Sequence, residues 1–284
     1  MQTTLVQILH SIAIGIVQGI SEWLPISSKT QVLIASTYLL NLNFQQAYTF
    51  GLFMEIGTIL AAVIYFRKDL INLIKVLMGS KDRHSIALFK YVLVTIILTG
   101  IIGAPLYLVA DSIKGISIGI PMILIGAILI ADAILIGYSK RAHGAASHLK
   151  KFNDMGIKDY AAVGVVQGIA ALPGVSRSGI TTSAMLIMGI EPDEAFHLSF
   201  LTGIFASIAA FGLTMVVSRS NVKAALAGIG LPGLVVAIAV STLISIFLID
   251  FLIKVAGKSK MKYITAALGI IAIASGLVYI FFKV

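Results

Sequence analysis

The chain has 284 residues, of which 58% are hydrophobic and 12% charged, with a formal charge of +9 and a mean hydropathy of +1.02. Soluble domains carry about 25% charged residues, so this composition excludes a soluble globular fold and indicates an all-α polytopic membrane protein. The absence of cysteine excludes disulfides, thiolate chemistry and Cys-based metal sites. No basic run interleaves with aromatics, so the positive charge does not indicate a nucleic-acid partner.

In chain order, residues 3–40 hold two apolar runs separated at Pro25. Non-helical backbone at membrane depth is tolerated where it is buried in protein or lines a wet cavity, so this segment is expected to be a re-entrant helical hairpin. The N-terminus lacks a basic region and a small-residue cleavage site, so the first segment is expected to persist. Apolar stretches at 47–66, 87–110 and 116–138 are each long enough to span a bilayer, which takes about 20 residues. Residues 160–190 again hold two short apolar runs, separated at Pro173-Gly174. Three more spans are expected at 196–217, 227–250 and 262–282.

The two halves repeat. GIVQGIS (15–21) lies over GVVQGIA (164–170), Leu24-Pro25 over Leu172-Pro173, and Ser28, Lys29 and Thr30 over Ser176, Arg177 and Ser178. The same register lays AYTFGLFMEIGTILAA (47–62) over AFHLSFLTGIFASIAA (195–210). Three spans per copy is an odd number, so the second copy is expected to be inserted upside down. The expected architecture is one membrane domain over 1–284, an inverted repeat of 1–138 and 160–284 in which each half is a re-entrant hairpin followed by three transmembrane helices.

Charge supports that topology. Of the 21 Lys and Arg, Lys114, Arg219, Lys223 and Lys283 fall on one face, and Lys29, Lys90 and Arg177 lie within or at the edge of apolar segments. The other fourteen fall at 67–86, 139–159 and 251–262. By the positive-inside rule that face is cytoplasmic and both termini lie outside, in a multi-pass protein of the plasma membrane.

Ionisable groups at bilayer depth cost about 2.5–3.5 kcal/mol each on insertion scales and are usually functional or paired. Gln18 and Glu22 are four residues apart and share a helical face. Lys29 and Arg177 occupy equivalent positions among the hydroxyls of Ser27, Ser28, Ser176, Ser178 and Thr181. If the hairpin tips meet, two cations and two helix N-termini make an oxyanion site suited to phosphate. Glu22 then holds a divalent cation, acts as a general base or pairs structurally with Lys29 or Arg177. Glu55 is a candidate accessory group in the following span. Asp132 reads as a buried structural polar group and His197 as interfacial.

QGISEWLPISS (18–28), LPGVSRSGITT (172–182) and EAFHLSFL (194–201) resemble the bacitracin-resistance type of undecaprenyl-diphosphate phosphatase. The resemblance covers essentially the whole chain. It implies an enzyme of lipid-carrier recycling that hydrolyses a polyprenyl diphosphate to the monophosphate and inorganic phosphate, with a divalent cation, Mg²⁺ or Ca²⁺. Carried over by position, it implies Glu22, Ser28 and Arg177 as catalytic, Ser27, Lys29, Gln31, Ser176, Ser178 and Thr181 as substrate-binding, and Gln18 with Glu22 on the metal side. The chain departs from the pattern at Gln31, where the family carries histidine, at Thr30 in place of glycine, and at Glu55 and Phe205. Glutamine cannot carry a proton near neutral pH. A lipid-phosphate flippase without hydrolysis is the alternative reading, and a homo-oligomer is compatible with the sequence.

Overall fold

The computed structural model describes residues 2–42, 44–112, 119–142, 149–172, 174–217, 219–256 and 261–282. Pro173 and the side chains of Asp111 and Asp132 lie outside the described residues, as do 113–118, 143–148 and 257–260. The described residues form α1 (Gln2–Ser21), α2 (Ser28–Leu40), α3 (Phe44–Tyr65), α4 (Arg67–Leu77), α5 (Arg83–Ser112) and α6 (Gly119–Ala142). After a 3-10 turn at Phe152–Asp154 come α7 (Ile157–Ile169), α8 (Arg177–Ile187), α9 (Pro192–Val217), α10 (Arg219–Ala256) and α11 (Met261–Phe282). Helix is what an apolar chain adopts in lipid, because it satisfies every backbone group internally.

Both sequence breaks are breaks in the structure. Pro25 lies in the turn between α1 and α2, and Ser27 takes a left-handed backbone (φ 55°) immediately before α2. Gly174, at φ 81°, sits in the turn between α7 and α8, a conformation that glycine adopts without a Cβ penalty. The helices beside these turns are short: α2 and α7 have 13 residues and α8 has 11. At 1.5 Å per residue they extend roughly 17–20 Å, against a hydrocarbon core about 30 Å thick.

Among the described residues, three segments are long and apolar enough to cross a membrane: Arg83–Val109, Pro192–Leu213 and Gly230–Ala256. Shorter apolar helical stretches occupy Leu5–Ser21, Phe53–Tyr65, Met122–Ala131 and Thr265–Phe281. The span expected at 227–250 is displaced, because a kink at Gly230 (φ 72°) next to Pro232 resets the helix and the straight segment runs on to Ala256. The region 67–86, expected to be a loop, contains α4. There Leu73 is buried, while Arg67, Lys68 and Lys75 face outward. His197 Nε2 on α9 meets Asp69 Oδ2 at 3.3 Å and the His197 ring packs edge-on against Phe66, which fixes α4 to α9 at the end of the spans. Ser85 donates its N–H (2.8 Å) and its hydroxyl (2.6 Å) to Asp82 beside the start of α5, and these bonds hold the Asp82 carboxyl below its ordinary range.

Small residues set the helix contacts, as expected where lipid tails are as apolar as the side chains. Helices α1 and α3 pack on α10, α7 on α5, and α6 on α11. A Cβ on Gly15 would lie 2.6 Å from the carbonyl of Ala237 on α10, and one on its repeat mate Gly164 would lie 2.8 Å from the carbonyl of Thr95 on α5. Between α6 and α11 the fit is reciprocal. Gly119 faces the carbonyl of Gly276 and Gly276 that of Gly119; Gly126 and Gly269 face each other in the same way. The first break is seated on α9 by Trp23, which is buried and packs edge-on against Phe200 at 4.9 Å.

Candidate active site

The two breaks meet. Ser176 and Ser178, at the start of α8, donate to backbone carbonyls of the first break: Ser178 Oγ to Glu22 O at 3.1 Å and Ser176 Oγ to Leu24 O at 3.2 Å. Ser176 also caps α8 by accepting from Gly179 N at 3.2 Å. Arg177, the first residue of α8, is thereby aimed at the end of α1.

Glu22 is the hub. Its Oε1 accepts from Arg177 Nη2 at 2.6 Å, and its Oε2 accepts from Ser28 Oγ at 2.6 Å and from Gln18 Nε2 at 2.9 Å. The Glu22 side chain is 6% exposed and that of Arg177 14% exposed. Ion pairing and hydrogen bonding together are what allow such charges at depth. On its other nitrogen, Arg177 Nη1 donates to Ser207 Oγ of α9 at 3.3 Å. A second pair lies in the same cavity: Lys29 Nζ stands 3.5 Å from Glu55 Oε1, with Glu55 almost fully buried.

Glu22, Ser27, Ser28, Lys29, Glu55, Ser176 and Arg177 line one cavity of about 350 Å³. The rest of its wall is largely apolar: Ile96, Gly100, Gly103 and Ala104 of α5 face Phe205, Ala206, Ala209, Ala210 and Leu213 of α9. The cavity therefore has a charged end and an apolar flank, which suits an amphiphile with an anionic head.

Four residues assigned from sequence to substrate or metal lie off this wall. Gln31 Nε2 donates to Ile26 O at 3.1 Å, tying α2 back to its own turn. Thr181 Oγ1 bonds Arg177 O at 2.7 Å and Ser199 Oγ at 2.5 Å, which anchors α8 to α9. Ser178 is engaged with the first break. All three side chains are thus engaged with protein groups beside the cavity. Gln18 stands behind Glu22, and its Oε1 is buried without a hydrogen-bond partner.

Several cavity residues escaped the sequence reading. Gln167 lies over Gln18 in the repeat, and that register was the available signal. It donates to Thr99 at 3.0 Å and accepts from Thr202 at 3.1 Å. Ser207, Thr99 and Tyr107 also line the cavity without any sequence signal. Gly203 makes room for the arginine, since a Cβ there would lie 2.6 Å from Arg177 Cζ.

The profile of the bacitracin resistance protein BacA family matches residues 11–274. The chain belongs to that family. It is 46% identical over 271 residues to an undecaprenyl-diphosphatase of Saccharolobus solfataricus, covering 95% of this chain and 96% of the relative. An undecaprenyl-diphosphatase of Sulfurisphaera tokodaii is 44% identical over 94% of this chain and 96% of its own length. One from Pyrobaculum aerophilum is 38% identical over 95% of this chain and 97% of its own.

Proposed function

We infer that the protein is a multi-pass membrane phosphatase that hydrolyses an undecaprenyl-type diphosphate to the monophosphate and inorganic phosphate. The observation that carries the reading is a cavity in which Arg177 from one break and Ser28 from the other converge on Glu22, beside an apolar flank. The prenyl chain would stay on the apolar flank and the diphosphate would occupy the charged end.

In this reading Arg177 clamps the terminal phosphate. Its planar fork keeps its charge and offers paired donors to the equatorial oxygens, where charge spreads during phosphoryl transfer. Ser28 is the nucleophile, and the 2.6 Å bond to Glu22 Oε2 is the path for its proton. Ser27 and Lys29 approach the head group from the first turn of α2. That helix has no side-chain cap, so an anion there would meet unsatisfied donors. With glutamine at position 31, the carboxylates handle the proton.

A divalent cation fits the residues present. Gln18 Oε1 is a buried oxygen without a partner beside the Glu22 carboxylate, and hard oxygen donors are what Mg²⁺ and Ca²⁺ take. Gln18 and Glu22 would hold it, and when bound it would neutralise phosphate charge. The reciprocal glycine contacts of α6 with α11, and the matching seats of Gly15 and Gly164, support an inverted repeat with re-entrant hairpins. With the loop charges, they favour termini on the outer face.

The test is phosphate release from detergent-solubilised undecaprenyl diphosphate, with and without chelator. Release that is lost on chelation and restored by Mg²⁺ or Ca²⁺ is expected. Binding without release would instead support the flippase reading, which has no observation in its favour beyond the architecture.

A further inference from the structure

Helix α4 has no part in the catalytic scheme, and it carries a surface that the protein leaves uncovered. The apolar stretch of α3 ends at Tyr65, just before α4, and the spanning segments of α5 and α9 begin at Arg83 and Pro192. The contact of Asp69 with His197 ties α4 to the start of α9. Its 11 residues extend roughly 17 Å, too short to cross a hydrocarbon core of about 30 Å. Helix α4 therefore fits along one membrane face, between the ends of the spans.

At roughly 100° per residue, three stripes run along it. Phe66, Leu70 and Leu73 turn into the core. Ile71, Ile74 and Met78 form a second stripe with Leu77 at its edge, and these four side chains are 48–81% exposed. A helix resting on a protein core needs one apolar face, so packing does not account for the second. Lys68, Asn72 and Lys75 form the third stripe, roughly a quarter turn beyond the exposed apolar one and on the side away from the core. Other lysines at this end are paired: Lys150 with Asp159, and Lys254 with Asp250, which also accepts from Tyr65 at the end of α3. Among the described residues, Lys68 and Lys75 have no carboxylate partner.

We propose that α4 is an interfacial helix that binds the head groups of anionic membrane lipids. Ile71, Ile74 and Met78 enter the boundary between head groups and acyl chains, as the apolar face of an in-plane helix does. Lys68 and Lys75 lay their apolar stems along that boundary and place each ammonium on a lipid phosphate. Two unpaired cations beside an apolar stripe complement a lipid of net negative charge, whereas a zwitterionic lipid brings its own cation to the same surface. The site is separate from the catalytic cavity, and the inference does not depend on the phosphatase reading.

The chain has no cysteine, so Ile74→Cys accepts a single bimane fluorophore in the full-length protein. The labelled protein is placed in phosphatidylcholine vesicles doped with phosphatidylcholine or phosphatidylglycerol that carries a nitroxide high on its acyl chain. Both lipids are expected to quench, with phosphatidylglycerol reaching half-quenching at a mole fraction about five-fold lower or more, since each lysine near a charged surface contributes ~1 kcal/mol. Lys68→Gln combined with Lys75→Gln is expected to bring the two lipids within about two-fold while quenching persists. If that variant fails to fold, high salt applied to the protein with both lysines is expected to weaken the same preference. Bimane at Asn72→Cys is expected to be reached by aqueous iodide instead. Iodide access to Ile74→Cys without nitroxide quenching overturns the lipid face and points to a protein partner. Equal quenching by the two lipids with both lysines present, or a preference that survives both their replacement and high salt, overturns the head-group site.

Discussion

The two halves place a cation at the same point, the first turn of the helix after the break, and then use it differently. In the first half Lys29 meets Glu55 of α3 at 3.5 Å, a pair contained within that half. In the second half the position over Glu55 is Gly203 of α9. Without a side chain there, Arg177 lies across the glycine and reaches out of its own half to Glu22. The helix caps differ in the same sense. Ser176 caps α8 in an extended conformation (φ −75°), whereas Ser27 precedes α2 at φ 55° with no side-chain cap bond. Left-handed backbone at a non-glycine residue stores strain and clusters at ligand sites. The second half thus provides a rigid, capped mount for the arginine, and the first an uncapped helix start beside the nucleophile.

The comparison can be broken most severely at the arginine itself. Arg177→Lys keeps the charge but loses the fork, and kcat for phosphate release is expected to fall by about 10²-fold or more. Near-normal turnover would remove the clamp. Gly203→Ala attacks the same contact from behind, because the new Cβ must displace the guanidinium. A misplacement on that scale costs up to about 10²-fold in kcat, with the thermal transition in detergent changed little by comparison. Ser176→Ala has the smallest expected effect. Loss of the α8 cap costs about 1 kcal/mol, read as a lower unfolding midpoint with turnover reduced less than in Gly203→Ala.

The breaks, the repeat and the convergence of Glu22, Ser28 and Arg177 were legible in the sequence because they depend on covalent order. Pro25, the glycine after Pro173 and the charges beside them mark where helix must stop. Residues that meet through packing were not legible. Ser207 and Tyr107 enter the cavity from the rotation of α9 and α5, which no spacing rule encodes. The bond that Gln31 makes to the Ile26 carbonyl within its own turn was not legible for a related reason. Helix α4 was hidden because its charges read as a loop, although Leu70 and Leu73 recur at helical spacing against the core.

That one site is built from two halves is tested most directly by a double-mutant cycle on kcat/KM for phosphate release, using Glu22→Gln, Arg177→Lys and the combination. Groups that act as a unit are grossly non-additive, so the double variant is expected to be no slower than the more damaged single variant by more than a few-fold. Multiplicative losses would show that Glu22 and Arg177 act independently and would contradict the account.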